Sequence, residues 1–244
     1  MNVGNMLSET WGYLSDSSHW TGADGLWTLM VQQLLLSITA LVIAVVLGLP
    51  VALWLGHIGR GSLLAINVSN IGRAVPTFAL LAILVTTDNP GVRSFGPYGR
   101  AGISTLIALT AFALPPIITN ANVAIREVPE PVKESARGMG MTGWQLFSRV
   151  ELPLGLPLIV SGIRLALVQV WATATIAALV AGPGLGNLIT EGFYRTDYGM
   201  ALGAAVVVAV VAFGLEMVGA LVERSVDPTR KGGPGARDVS PVEA

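Results

Sequence analysis

Five apolar blocks, 26–55, 62–85, 101–124, 154–181 and 199–222, dominate the chain. A hydrocarbon core about 30 Å thick is crossed by roughly 20 residues of helix, so each block is long enough to span. The first has length to spare for tilt or for an end lying along the interface. Backbone groups that face lipid must be satisfied within their own segment, and no block alternates as a barrel strand does; helices follow. Composition agrees: 52% of the 244 residues are hydrophobic and 12% charged, against about a quarter charged in a soluble domain. The predicted fold is all-α, a polytopic transmembrane helix bundle of about five spans.

Charge placement orients the bundle. Arg60, Arg126, Lys133, Arg137, Arg149, Arg224, Arg230, Lys231 and Arg237 fall on one side of the five-span arrangement, and Arg93, Arg100 and Arg195 on the other. Basic residues collect in the cytoplasm, so the N-terminus is expected outside and the C-terminus inside. Residues 1–25 form an extracytoplasmic segment that carries Glu9, Asp16 and Asp24 but no Lys or Arg. It lacks the basic start of a signal peptide, and the first span is expected to stay in the mature protein. Trp11, Tyr13, Trp20 and Trp27 crowd the outer approach and read as an interfacial belt. Residues 223–244, rich in Pro and Gly, are expected to be a disordered cytoplasmic tail.

Several function classes drop out. The chain has no cysteine, which removes disulfides, thiolate zinc sites and thiol catalysis. His19 and His57 are the only histidines, both at span margins, so no catalytic or metal constellation is visible. A net charge of −1 gives no indication of a polyanionic partner, and nucleic acid is not implied. The nearest approach to a P-loop, Gly56 to Ser62, has Arg60-Gly61-Ser62 and lacks the lysine, so ATP hydrolysis is not expected here.

The longest polar connection, 126–153, carries the most information. Pro131 suits the first turn of a helix continued by Lys133, Glu134, Ser135, Ala136 and Arg137. Gly138 and Gly140 offer its end, with Gly140 suited to positive φ. Thr142 and Gln145 then form a capping-box pattern, and Pro153 marks the return to the membrane. Two short surface helices joined by a glycine turn are expected, with Arg149 and Glu151 on the polar side. Such a loop is either an amphipathic connector on lipid headgroups or a docking surface for a cytoplasmic protein.

Glu134-Ser135-Ala136, Gly140 after three residues, and Val150-Glu151-Leu152-Pro153 after nine more resemble the EAA motif of membrane subunits of bacterial ABC importers, with Ser135 for Ala and Val150 for Ile. The resemblance implies a type I ABC-importer permease fold in which this loop seats on a separate ATPase subunit. Glu134, Ser135, Ala136, Gly140, Val150, Leu152 and Pro153 would then couple ATP hydrolysis to the spans. ATP and Mg would belong to that partner, and no cofactor to this chain. Leu114-Pro115-Pro116-Ile117-Ile118-Thr119-Asn120, the Arg164 region, and Gly182-Pro183-Gly184-Leu185-Gly186 with Gly192 and Asp197 resemble permeases for osmoprotectants such as glycine betaine, carnitine, choline or proline. Pro183 stands where an all-glycine run is more usual. This likeness covers residues 26–222 and implies further partners: an extracytoplasmic solute-binding protein and a second permease copy or paralogue. Importers of other small solutes such as methionine share much of the scaffold.

Polar groups at bilayer depth are candidates for the pathway. Arg73 beside Pro76 either lines the pathway or makes a structural contact. Pro115 and Pro116 are expected to break the third span near Asn120, which faces either solute or another helix. Arg164 either snorkels or pairs with a carboxylate. Gly199 with Gly203 suits close helix packing, within the chain or across a dimer. An ion-coupled carrier is the rival of another class; apart from Arg73, Arg164 and Glu216 the spans carry no ionisable residue, too few for a proton relay.

Overall fold

The structure, a computed structural model, describes residues 3–59, 67, 72, 75–86, 96–98 and 101–227. Its helices in chain order are α1 (Val3–Ser15), α2 (Leu26–Ile58), α3 (Thr77–Thr86), α4 (Gly102–Arg126), α5 (Glu130–Gly138), α6 (Gly143–Leu146), α7 (Leu152–Ile176), α8 (Gly186–Arg195) and α9 (Tyr198–Val226), and the described residues contain no strand. Four apolar helical stretches are long enough to cross a bilayer: α2, α4, the run Gly143–Val180, and α9. The second apolar block contributes α3, ten residues long. Most of that block before Val75, Arg73 included, and the tail 228–244 lie outside the described residues.

Small residues decide which helices touch. On α2 the buried stripe Ala40, Ala44, Gly48, Ala52 and Gly56 recurs every fourth residue. It brings the backbone against α4, where a Cβ on Gly48 would lie 2.9 Å from Leu114 Cδ2 and one on Gly56 3.0 Å from Ile125 Cβ. On α7, Gly155 meets the Ala124 carbonyl oxygen and Gly162 meets Asn120 Cβ, at 3.0 and 2.5 Å from a Cβ built there. Lipid is as apolar as leucine, so close van der Waals contact and interhelical hydrogen bonds hold such helices together. Leu36, Ala40, Ala44, Leu109, Ala113, Ile117, Ala166, Val170 and Ala174 form the resulting core of α2, α4 and α7.

α2 spans 33 residues, about 50 Å at 1.5 Å per residue. Trp27 and Trp54 are both exposed near its ends and stand about 40 Å apart along the axis, the depth of a bilayer with its headgroup regions. α9 is peripheral, with Val206, Val210, Phe213, Met217 and Leu221 facing outward. Gly199 and Gly203 serve packing within the chain: Cβ atoms there would lie 3.0 Å from the Glu9 carbonyl oxygen and 2.7 Å from Tyr13 Cδ1, both on α1. The expected aromatic belt is therefore divided. Trp11 and Trp27 face outward, whereas Tyr13 stacks on His19 with centroids 4.0 Å apart and Trp20 Nε1 donates to the Leu14 carbonyl.

The third span is not broken at its prolines. α4 runs through buried Pro115 and Pro116 as one helix. Both rings are enclosed by neighbours, with Pro115 Cγ 3.2 Å from a Cβ built on Gly72 and the Pro116 carbonyl oxygen 3.1 Å from one built on Gly162. Close packing holds the axis together where the missing donors alone would have bent it.

Candidate coupling site

The polar connection between α4 and α7 folds as its local signals require. Pro129 and Pro131 start α5. Its end is a Schellman arrangement: Gly140 N donates to the Arg137 carbonyl and Met141 N to that of Ala136, with Gly140 at φ +82°. Two residues later Thr142 N donates to Gln145 Oε1 at 2.8 Å and Gln145 N to Thr142 Oγ1 at 3.3 Å, a complete capping box.

α6 then departs from expectation. It does not stop before the membrane but runs on through a π turn, Phe147–Glu151, straight into α7. Pro153 has no N–H to offer the preceding turn, and the wider π spacing lets Leu152 N reach the Phe147 carbonyl. The surface helix and the fourth span are thus one continuous helical run.

Of the seven residues matching the motif, Glu134, Ser135, Gly140 and Pro153 are exposed. Val150 and Leu152 are half-buried, and Ala136 is buried. Ser135 Oγ donates to the Pro131 carbonyl. Beside them, Val132, Met139 and Trp144 expose apolar surface around the turn, an arrangement suited to contact with another surface. Arg137 pairs with Glu130 at 3.1 Å.

Glu151 corrects the sequence reading. It is 2% exposed, and His57 Nδ1–H donates to its carboxylate at 2.5 Å. His57, Arg126, Glu130, Lys133, Arg137 and Glu151 border a polar cavity of about 310 Å³ at this end. The sequence placed His57 at a span margin and Glu151 on the polar side of the loop but did not pair them, because a lone histidine and one acid among loop residues carry no periodic signal.

The candidate pathway residues are not gathered in one place. Arg73 lies outside the described residues. Pro76 is exposed just before α3, and its carbonyl accepts from Leu80 N. Pro115 is buried in α4. Asn120 Nδ2 donates to the Pro116 carbonyl at 2.8 Å, at the seam where Gly162 of α7 meets it. Two residues on, Arg164 points to the opposite side of α7: Nε lies 3.4 Å from Glu216 and Nη1 2.6 Å from Glu223. Gly219, between those carboxylates on α9, leaves room for the arginine stem; a Cβ there would lie 2.5 Å from Arg164 Cγ.

A polar residue of α2 missed in the sequence, Gln33, is fully buried. Its Nε2 donates to the Trp171 carbonyl and Thr175 Oγ1, and its Oε1 accepts from Leu185 N. A glutamine inside an apolar block was the available signal.

Residues 44–231 match the model of a family described as the binding-protein-dependent transport system inner membrane component. The chain belongs to that family. It is the multi-pass permease subunit of an ABC importer. It is 31% identical over 211 residues to the glycine betaine/carnitine/choline transport system permease protein OpuCB of Bacillus subtilis, covering 86% of this chain and 91% of that one. It is 33% identical over 200 residues to the carnitine transport permease protein OpuCB of Listeria monocytogenes, covering 81% and 86%. The inward-facing MetNI methionine ABC transporter superposes with a TM-score of 0.68 at 22% identity, over 82% of this chain and 95% of that one. An amino acid ABC transporter superposes at 0.60 and 17%, over 93% and 98%. The structural likenesses establish a type I importer permease fold and nothing of the solute.

Proposed function

We propose that this permease imports a small compatible solute of the glycine betaine, carnitine, choline or proline kind. It forms the pathway with a second copy or a paralogue and is driven by a separate cytoplasmic ATPase acting on the α5–α6 loop. The observation that carries the coupling is the loop itself: a doubly capped, exposed element continuous with α7 through one π turn. The solute class is supported by relatives at 31% and 33% identity that carry glycine betaine, carnitine and choline in their names. Recognition of the solute falls to an extracytoplasmic binding protein, and ATP and Mg to the ATPase. The excess of basic residues in the loop and tail supports an N-terminus outside and a C-terminus in the cytoplasm. Arg73, Pro76, Pro115 and Asn120 remain the residues proposed for the pathway. Arg164, held between Glu216 and Glu223, joins α7 to α9 at its edge.

The test is co-purification with the ATPase, followed by ATP hydrolysis stimulated by solute-loaded binding protein in lipid. Replacing Glu134 and Gly140 together is expected to lose the ATPase; retained association removes the coupling assignment. A binding assay on the partner binding protein, run with glycine betaine, carnitine, choline, proline and methionine, decides the solute class.

A further inference from the structure

His57 occupies the last turn of α2 and faces both α6 and the π turn that follows it. Its Nδ1–H donates to buried Glu151 in the π turn at 2.5 Å. Its other ring nitrogen faces the first residue of α6, where a Cβ on Gly143 would lie 3.6 Å from Nε2. Its ring meets Phe147 edge-on at 5.4 Å. The turn of α2 that carries it is in turn joined to α4: Asn122 Nδ2 donates to the Ala52 carbonyl, and Gly56 packs on the Asn122 backbone, its oxygen 3.1 Å from a Cβ built there.

Besides its covalent start at the end of α4 and the Lys133 Nζ bond to the Arg126 carbonyl, the loop has two connections to the bundle at its other end among the described residues. One is covalent, through the π turn into α7. The other is lateral, through a single histidine into α2, which is otherwise distant in sequence. A histidine whose only role was to fill space would not need a buried carboxylate. A carboxyl group at that depth needs a hydrogen-bond partner, so the bond satisfies the acid and ties the two elements at once. The polar cavity of about 310 Å³ beside the pair, faced by Arg126, Glu130, Lys133 and Arg137, leaves room for the joined elements to shift.

We propose that His57 is a positioning residue of transport: through Glu151 and α6 it makes the first span move with the coupling loop. This rests on the reading that the loop docks on the ATPase. The test uses the complete importer, with permease, ATPase and binding protein in phospholipid vesicles, and the solute identified by the binding assay, glycine betaine being the first probe. The quantity read is solute moved per ATP hydrolysed.

In His57→Ala the ATPase is expected to remain bound while that ratio falls about tenfold, the size of an ordinary coupling free energy between sites. His57→Asn, whose amide nitrogen takes the place of Nδ1, is expected to recover most of it. His57→Phe keeps the ring against Phe147 and lacks the bond; it is expected to fold even where the alanine variant does not, and to uncouple as strongly. Combining His57→Ala with Glu151→Ala is expected to cost no more than either alone, since one contact is removed. An unchanged ratio in His57→Phe, loss of the ATPase from it, or losses that add across the pair would overturn the proposal. Failure of the docking reading looks different: the Glu134 and Gly140 replacements would then keep the ATPase with His57 untouched.

Discussion

α2 holds both ends of α7, by unlike chemistry; in the proposed orientation the Gln33 end is the outer one and the His57 end the inner one. At the outer end Gln33 is wholly enclosed and its amide is used on both sides, donating to Trp171 and Thr175 and accepting from Leu185. The backbone closes on it so tightly that a Cβ on Gly184 would lie 2.7 Å from its Oε1. At the inner end His57 is 26% exposed, makes one strong bond to Glu151, and borders open polar space. A close-packed interior has few neighbouring arrangements, whereas a single contact beside a cavity has room to change. The outer end is built as an anchor and the inner end as a joint.

Substitutions at the two ends test that contrast. The largest effect is expected from Gly186→Ala at the outer turn. Its Cβ would lie 2.0 Å from the Thr175 carbonyl oxygen and 2.8 Å from Ala178 Cβ, so backbone must move. A loss of about 3 kcal/mol or more is expected, visible as a large fall in the unfolding temperature in detergent. Gln33→Leu follows, leaving the buried Leu185 N–H without a partner; about 2 kcal/mol is expected in the same measurement. A smaller loss than in Gly140→Ala would break the comparison.

Inner-end changes are expected to act mainly on assembly. Gly140→Ala strains a residue at φ +82° that has open space around it. Its cost is local, about 1 kcal/mol, and is expected to appear as weaker ATPase retention with an almost unchanged unfolding temperature. Thr142→Ala removes one half of the capping box, again about 1 kcal/mol of helix stability. Hydrogen exchange of the α6 amides reads it directly. Ser135→Ala, which restores the residue more usual in the motif and gives up only a bond to the Pro131 carbonyl, is expected to stay within about 0.5 kcal/mol on both readouts. A strong effect there would mean that the hydroxyl contacts the ATPase.

The surface loop was legible because its determinants are local. Pro131, Gly140, Thr142 and Gln145 act on backbone groups within a few residues of themselves, and each appears in the structure as its type requires. The π turn was not legible. Pro153 reads equally well as a helix start or as the stop of one, and only the packing of Leu152 and Gly155 on α4 chooses continuity. The same holds for Pro115 and Pro116, read as a break and found inside an uninterrupted helix. Proline states which donor is missing, while the enclosure around it decides whether the axis bends.

Hydrophobic block length by itself determined the compartment, the helical class and the approximate spans, because transfer of apolar side chains and backbone satisfaction in lipid are properties of a segment alone. The spacing of Glu134, Gly140 and Pro153 determined which connection resembles a coupling element. Tertiary structure alone decided that Glu151 is buried, that Gln33 is enclosed with its amide fully used, and that His57 pairs with Glu151. Their partners stand 94 residues away for His57 and 152 for the Gln33–Leu185 bond, and a polar side chain in an apolar segment shows no sign of its role until the fold brings its partner within reach.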